Sequence, residues 1–250
     1  MSFRSRTGVA GIFYVPGFPK GVKWLLISNV GVFLFGFFAQ LARLDGPMQY
    51  LALTPVLVVK DFLIWQLATY MFLHAGIGHI LWNMLALWMF GADLEQSWGT
   101  KRFVQFYFFC GIGAGLCVVL LNYFLPWGNP LIPTIGSSGA IFGILLACAI
   151  LFPDRPILFA FIIPMQMKWF VLIVGVIAFL SSFQANSGVS AFAHLGGMLF
   201  GYIFMKSPGL NFDIAGSFRR QYRDYKLRRA KKKFQVYLRK QGPRRGPTVH

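Results

Sequence analysis

Between Phe103 and Phe152 the chain carries no Asp, Glu, Lys or Arg. That run constrains the fold more than any other feature. A water-soluble domain interleaves polar and apolar residues so that one face of each element stays wet, whereas a helix crossing hydrocarbon needs about 20 mostly apolar residues in succession. The run is interrupted only at "PWGNPLIPT", which ends one helix and lets the next begin, so it reads as two passes through a bilayer. Composition agrees: 56% of the 250 residues are hydrophobic, 12% are charged and the mean hydropathy is +0.60. A soluble domain carries roughly twice that charged fraction.

Applied to the rest of the chain, the same criterion predicts an all-α polytopic membrane protein with six transmembrane helices. The spans run from about Trp24 to Leu41, Gly78 to Leu94, Phe103 to Leu125, Ser138 onward, Trp169 to Ser182, and Val189 to Met205. The long stretch after the first span, with two prolines and polar residues, reads as an extended loop with interfacial pieces, and "PDRPILFAFIIPMQMK" as a turn between the fourth and fifth spans. These spans divide the chain into an N-terminal segment (1–20), a six-span core (21–206) and a basic C-terminal tail (207–250). Cys110, Cys117 and Cys148 all lie in apolar runs, and an odd number of such thiols argues against a disulfide framework. The start has no uninterrupted apolar core before Lys20, so no secretory signal is expected and a prokaryotic cell membrane is the expected location.

Cations decide the orientation. Of the 24 Lys and Arg, 22 fall at the N-terminus, at Lys101/Arg102, at Arg155/Lys168 or in the tail, and only Arg43 and Lys60 fall on the other side. Both termini are therefore expected in the cytoplasm. The tail places Phe218, Tyr222 and Tyr225 at helical intervals among its cations, a pattern suited to an anionic lipid surface as well as to a simply solvated tail. No nucleic-acid module accompanies the charge, so no nucleic-acid partner is expected.

Polar side chains inside spans point to function or to interior packing. In this topology spans two, four and six all begin on the outer side, which sets His79, Asn83, Ser138 and His194 at a similar outer depth. A serine before an apolar run is ordinarily a helix cap, and Ser137 alone could do that job, which makes it the expected cap. A lone histidine in a bundle is ordinarily satisfied by a carbonyl, and Asn83 suits an interhelical hydrogen bond equally well. The glycines favour a more specific reading. Gly139 and Gly143 follow Ser138, and Gly197 and Gly201 share a face with His194, so close packing of these two faces brings Ser138 to His194. Gly136 and Gly139 also let the backbone approach closely and leave helix N-terminal amides free for an oxyanion. His79 and Asn83, four apart, share a face as donors, and His74 belongs to the turn that enters the span. No H-E-x-x-H occurs and the acids lie outside the spans or at their ends, so neither a zinc protease nor an aspartyl dyad is expected, and neither a metal nor a cofactor. A site from His74, His79 and His194 would lack an orienting carboxylate.

"HAGIGHILWNM", "GSSGAIFG" and "AHLGGMLFG" resemble, in order and in placement, the three signatures of the rhomboid intramembrane serine proteases, over about residues 20 to 206. The resemblance implies a six-span rhomboid-like bundle holding a Ser–His dyad in a water-filled cavity open to the outside. It assigns Ser138 as nucleophile, His194 as base, and His79 and Asn83 to the oxyanion hole, with His74 in support. Phe142 stands where some members have a tyrosine that stacks on the histidine, and Trp65-Gln66 where many have Trp-Arg. It implies transmembrane protein substrates cleaved near the extracytoplasmic face, in a multi-pass protein of the cell (inner) membrane. The competing readings are a non-proteolytic rhomboid-like protein that binds transmembrane clients, which should lack the serine or the histidine, and a small-solute channel, which needs polar residues lower in the spans.

Overall fold

The computed structural model describes residues 17–44, 46–126, 128–159, 163–183 and 188–207. Most of the N-terminal segment and all but the first residue of the basic tail lie outside them. Helix α1 is Lys20–Leu41; the loop after it holds 3-10 turns at Gly46–Leu51 and Tyr70–Phe72 and short helices α2 (Pro55–Lys60) and α3 (Gln66–Thr69). Then come α4 (Ile77–Trp98), α5 (Thr100–Phe124), α6 (Ser138–Leu151), α7 (Met167–Ser181) and α8 (Gly188–Lys206). By length and composition α1, α4 and α5 can each cross a membrane, and α6 and α7 are shorter apolar helices. One expectation needs correcting. The turn between α6 and α7 is a β-hairpin, Pro156–Phe159 paired antiparallel with Ile163–Gln166, so the chain is mostly rather than wholly helical.

The outer surface of the bundle is apolar. Trp24, Phe35 and Phe38 on α1 and Leu172, Ile177 and Leu180 on α7 are each more than half exposed. Exposed apolar side chains in such continuous stripes would drive association in water and are the ordinary state of a helix facing lipid. Inside, α5 packs against both α6 and α8. Gly111, Gly113 and Gly115 on α5 leave room for Met71, Phe200 and Tyr70 respectively.

Three polar ties gather at one end of the bundle, where Lys101, Arg102, Arg155 and Lys168 also lie. Both carboxylate oxygens of the buried Glu95, near the end of α4, accept from the Gly21 and Val22 amides at 2.7 Å. The start of α1 is thereby capped by another helix, and a cap of this kind is worth ~0.5–2 kcal/mol. Asp93 pairs with Arg155 at the foot of the hairpin, and Lys168 Nζ reaches Asp154 at 2.7 Å.

Helices α6 and α8 meet backbone to backbone. A Cβ on Gly197 would fall 1.8 Å from the Gly139 carbonyl oxygen, and one on Gly201 would fall 3.1 Å from the Gly143 Cα. Side chains cannot be added there without separating the helices. A Gly197→Ala variant should lose several degrees of melting temperature or fail to fold, since overpacking costs about 1–3 kcal/mol or more. Gly31→Ala, whose Cβ meets nothing within 4 Å, should be neutral or stabilising by up to ~1 kcal/mol. Thermal unfolding of the two in the same detergent compares them directly.

Candidate active site

Ser138 is the first residue of α6, and His194 lies on α8 three residues before Gly197. With the two helices in contact, His194 Nε2 stands 3.0 Å from Ser138 Oγ, within hydrogen-bond distance. The imidazole stacks on Phe142, one turn further along α6, with ring centroids 4.0 Å apart and planes 2° from parallel. A flat aromatic contact thus fixes the plane of a ring that, among the described residues, no carboxylate orients.

The two residues open onto a cavity of about 340 Å³, also lined by Tyr70, His79, Asn83, Gly136 and Thr134. His79 reaches it from the first turn of α4. The Ala75 amide lies 3.3 Å from His79 Nδ1; an amide can only donate, so a neutral His79 carries its proton on Nε2. That nitrogen lies over Gly136, where a Cβ would be 2.8 Å away. Gly136 has φ +118°, a conformation side chains disfavour, so both its backbone and its neighbour call for glycine. Asn83 spends one N–H on the His79 carbonyl of its own helix, at 2.8 Å, which leaves the second for the cavity.

The four polar residues expected at one depth are thus brought to one cavity, and the paired glycines lie in the α6–α8 contact. The expectation that Ser137 caps α6 does not hold. It occupies the cap position, but its hydroxyl makes no cap hydrogen bond and lies instead 3.4 Å from His74 Nε2. His74 itself is edge-on to His79, centroids 5.1 Å apart. Among the described residues, no group of three or more His, Cys, Asp or Glu is arranged to hold a metal ion.

A family model described as "Rhomboid domain" matches residues 61–207, more than half of the chain. The chain belongs to the rhomboid family. Rhomboid protease GluP of Bacillus subtilis is 32% identical over 154 residues, covering 62% of this chain and 27% of that protein. RHOMBOID-like protein 1 of Arabidopsis thaliana is 30% identical over 204 residues, 78% of this chain and 49% of its own length. The mitochondrial Rhomboid protein 1 of Saccharomyces cerevisiae is 30% identical over 208 residues, with 76% and 54% covered. The chain thus spans from about a quarter to about half of these relatives' lengths. Family and apolar helices together make it a multi-pass membrane protein.

One residue of this rhomboid site, Tyr70, escaped the sequence reading, and Gln66 entered it only as standing where many members carry an arginine. Tyr70, buried, donates its hydroxyl proton to the Gly111 carbonyl of α5 at 2.7 Å, and its own carbonyl accepts from the Gly136 amide at 2.9 Å. It anchors the strained glycine to the central helix. Gln66, fully buried, accepts from the Thr54 amide at 3.0 Å and donates to the Tyr50 carbonyl at 3.2 Å, while Trp65 Nε1 donates to that same carbonyl. A neutral amide thus braces the loop between α1 and α4. A tyrosine in an otherwise unpatterned loop carries no local signal for the first role, and the Trp65-Gln66 pair marked the place of the second without its partners.

His74 lies in this loop, and burial, then the neighbouring His79, push its pKa down from 6.5 to about 4. As pH falls below 6.5 the unfolded chain takes up this proton first. The contribution of neutral His74 to stability is therefore complete above pH 6.5 and is lost progressively toward pH 4. Melting temperature should decline over that window, and His74→Asn should flatten the decline. An unchanged slope would show that His74 is not the titrating group.

Proposed function

We propose that this chain is an intramembrane serine endopeptidase, cleaving transmembrane segments of membrane-anchored proteins near the extracytoplasmic face with a Ser138–His194 dyad. The observation that carries the reading is the 3.0 Å approach of His194 Nε2 to Ser138 Oγ at the mouth of an amide-bearing helix terminus. His194 accepts the Ser138 proton as Oγ bonds to a peptide carbonyl carbon and the carbonyl electron pair moves to oxygen. The Ser138 amide, His79 Nε2–H and the second Asn83 N–H face the negative oxygen. Collapse breaks the C–N bond as His194 returns the proton to the departing amine. Water then attacks the acyl-enzyme, with His194 again as base, and Ser138 is regenerated.

In this reading α6, α7 and α8 complete six spans with α1, α4 and α5, both termini are cytoplasmic, and the core runs from residue 21 to 206. Helix α6 has 14 residues, or about 21 Å of rise, against a hydrocarbon core of about 30 Å. With its C-terminal end held near the cytoplasmic ion pairs, Ser138 lies about 9 Å below the outer boundary. A substrate helix must unwind there before attack, because a helical carbonyl is already hydrogen-bonded and shielded.

Labelling of the membrane-embedded protein by a serine-directed fluorophosphonate should require Ser138, and cleavage of a single-span model substrate should fall at least about a thousandfold in Ser138→Ala and His194→Ala. Labelling that persists in Ser138→Ala would defeat the assignment. A reporter fused to the C-terminus should read as cytoplasmic, and an outward reading would refute the orientation.

A further inference from the structure

The hairpin between α6 and α7 takes no part in the proposed chemistry, yet its two strands are apolar on both faces. Alternate residues of a strand point to opposite sides. By its register Ile157, Met165 and Ile163 fall on one face, and Pro156, Leu158, Pro164 and Gln166 on the other. The strands PILF and IPMQ carry no charge, and Gln166 is their one polar residue. Ile157 packs against the core, but Ile163, further out on the same face, is 53% exposed. Pro156 and Pro164 are exposed on the opposite face.

The foot of this ribbon is held at one height. Asp93, in the last two turns of α4, pairs with Arg155, and α4 is long and apolar enough to cross a membrane. With α4 crossing, the foot stands at a membrane boundary. Beside it Lys168 Nζ lies 5.8 Å from the centroid of the Trp169 ring, and Trp169 is 52% exposed. Lysine and tryptophan are the residues a helix presents to the headgroup layer. The Arg155 and Pro153 carbonyls accept from the Met167 and Lys168 amides, at 2.9 and 3.1 Å, which joins the ribbon to the first turn of α7.

Neither water nor hydrocarbon suits such a ribbon. An isolated hairpin is marginal in water, and an open strand edge in hydrocarbon leaves its N–H and C=O groups unmet. The prolines lessen the second difficulty. Met167 bonded to Arg155 makes a hydrogen-bonded pair, and such pairs alternate with non-bonded ones. Positions 156, 158, 164 and 166 therefore stand in non-bonded pairs, with their amide positions directed away from the partner strand. Two of these four are prolines, which have no N–H. The edges thus offer half the usual donors, few enough for headgroups and interfacial water to satisfy.

We propose that the strands Pro156–Phe159 and Ile163–Gln166 lie in the boundary between headgroups and acyl chains as an interfacial anchor, and that the partner of their exposed faces is lipid. Continuity favours lipid over a protein partner. The exposed face of α7 begins at Trp169 beside the ribbon and runs on through Leu172, Val176 and Leu180 at helical spacing. A connecting loop would stand clear in the aqueous phase; this ribbon is tied down at the level where the lipid begins. The anchor does not depend on the protease reading.

The test uses the full chain in phosphatidylcholine vesicles. Nitroxide labels are placed on Ile163→Cys and Pro164→Cys, one on each face. The unsubstituted chain, with Cys110 and Cys148 buried and Cys117 half-buried, gives the labelling background. Two references bracket the scale: a nitroxide free in buffer, and a label on Ile177→Cys. Ile177 lies ten residues after Met167 in α7, about 15 Å of rise and so half of a hydrocarbon core of about 30 Å. Relaxation by oxygen, which concentrates in lipid, is compared with relaxation by a water-soluble nickel chelate. Both hairpin labels should give an oxygen-to-nickel ratio above the buffer value and below that of Ile177. A ratio equal to buffer sets the ribbon in water and overturns the anchor, and one at or above the Ile177 value sets it in the hydrocarbon and overturns the interfacial placement. Exclusion of both reagents from either label would show that protein covers that face. Spin–spin broadening that fades on dilution with unlabelled chain would show that a second copy does. Either result overturns the assignment to lipid.

Discussion

The backbone contact between α6 and α8 sets the geometry of everything at the site. Lipid tails are as apolar as leucine side chains, so helices in a bilayer gain little by hiding apolar surface from lipid and associate through close packing. At Gly139 and Gly197 there is no side chain to hold the helices apart, and the Gly139 carbonyl occupies the place a Cβ on Gly197 would take. Ser138 immediately precedes one of these glycines, and His194 stands one turn before the other. Their 3.0 Å separation is therefore inherited from the helix spacing and needs no loop to adjust it. Cys110 lies in the same junction: a Cβ on Gly143 would fall 2.6 Å from its Sγ, so α5 closes on the pair as tightly as the pair closes on itself.

A short α6 creates a second requirement. Non-helical backbone at membrane depth is tolerated only where protein shields it and its polar groups are paired. In the proposed topology the stretch before Ser138 lies at membrane depth, and the loop between α1 and α4 meets that condition. Leu53 and Thr134 exchange two backbone hydrogen bonds, at 3.0 and 2.8 Å, and Gly136 donates to Tyr70. The Trp65 and Gln66 contacts to Tyr50 keep the loop in place to do this. In that topology the loop permits α6 to begin below the membrane boundary, with Ser138 at the edge of the cavity.

The helices and the central constellation were legible because their signals are local or periodic. Every expected span matches a helix to within a few residues, and the spacing of Gly139/Gly143 and Gly197/Gly201 gave the packing faces. The hairpin between α6 and α7 was not legible: Pro156 and Pro164 in its strands speak against pairing, and a two-stranded ribbon has only edges on which to tolerate them. Glu95 was read as an acid at a span end, whereas its two oxygens cap a helix more than 70 residues away. Ser137, Tyr70 and Gln66 share that limitation. Their roles depend on partners distant in sequence, and a polar residue near an apolar run looks alike whether it caps, braces or holds a neighbour.

Orientation of the two site histidines rests on different devices, and the difference bears on what each can do. His79 has its tautomer set by an amide, which presents Nε2–H to the cavity and suits it to donate. His194 is held in plane by Phe142 and in direction by Ser138 itself, with no carboxylate among the described residues to select a tautomer or to stabilise an imidazolium. A base so placed gains its proton at the moment negative charge appears on the facing carbonyl oxygen. The charge balance of the proposed reaction then falls on the donors around that oxygen, which is why amides left uncapped at the start of α6 matter more here than in a triad.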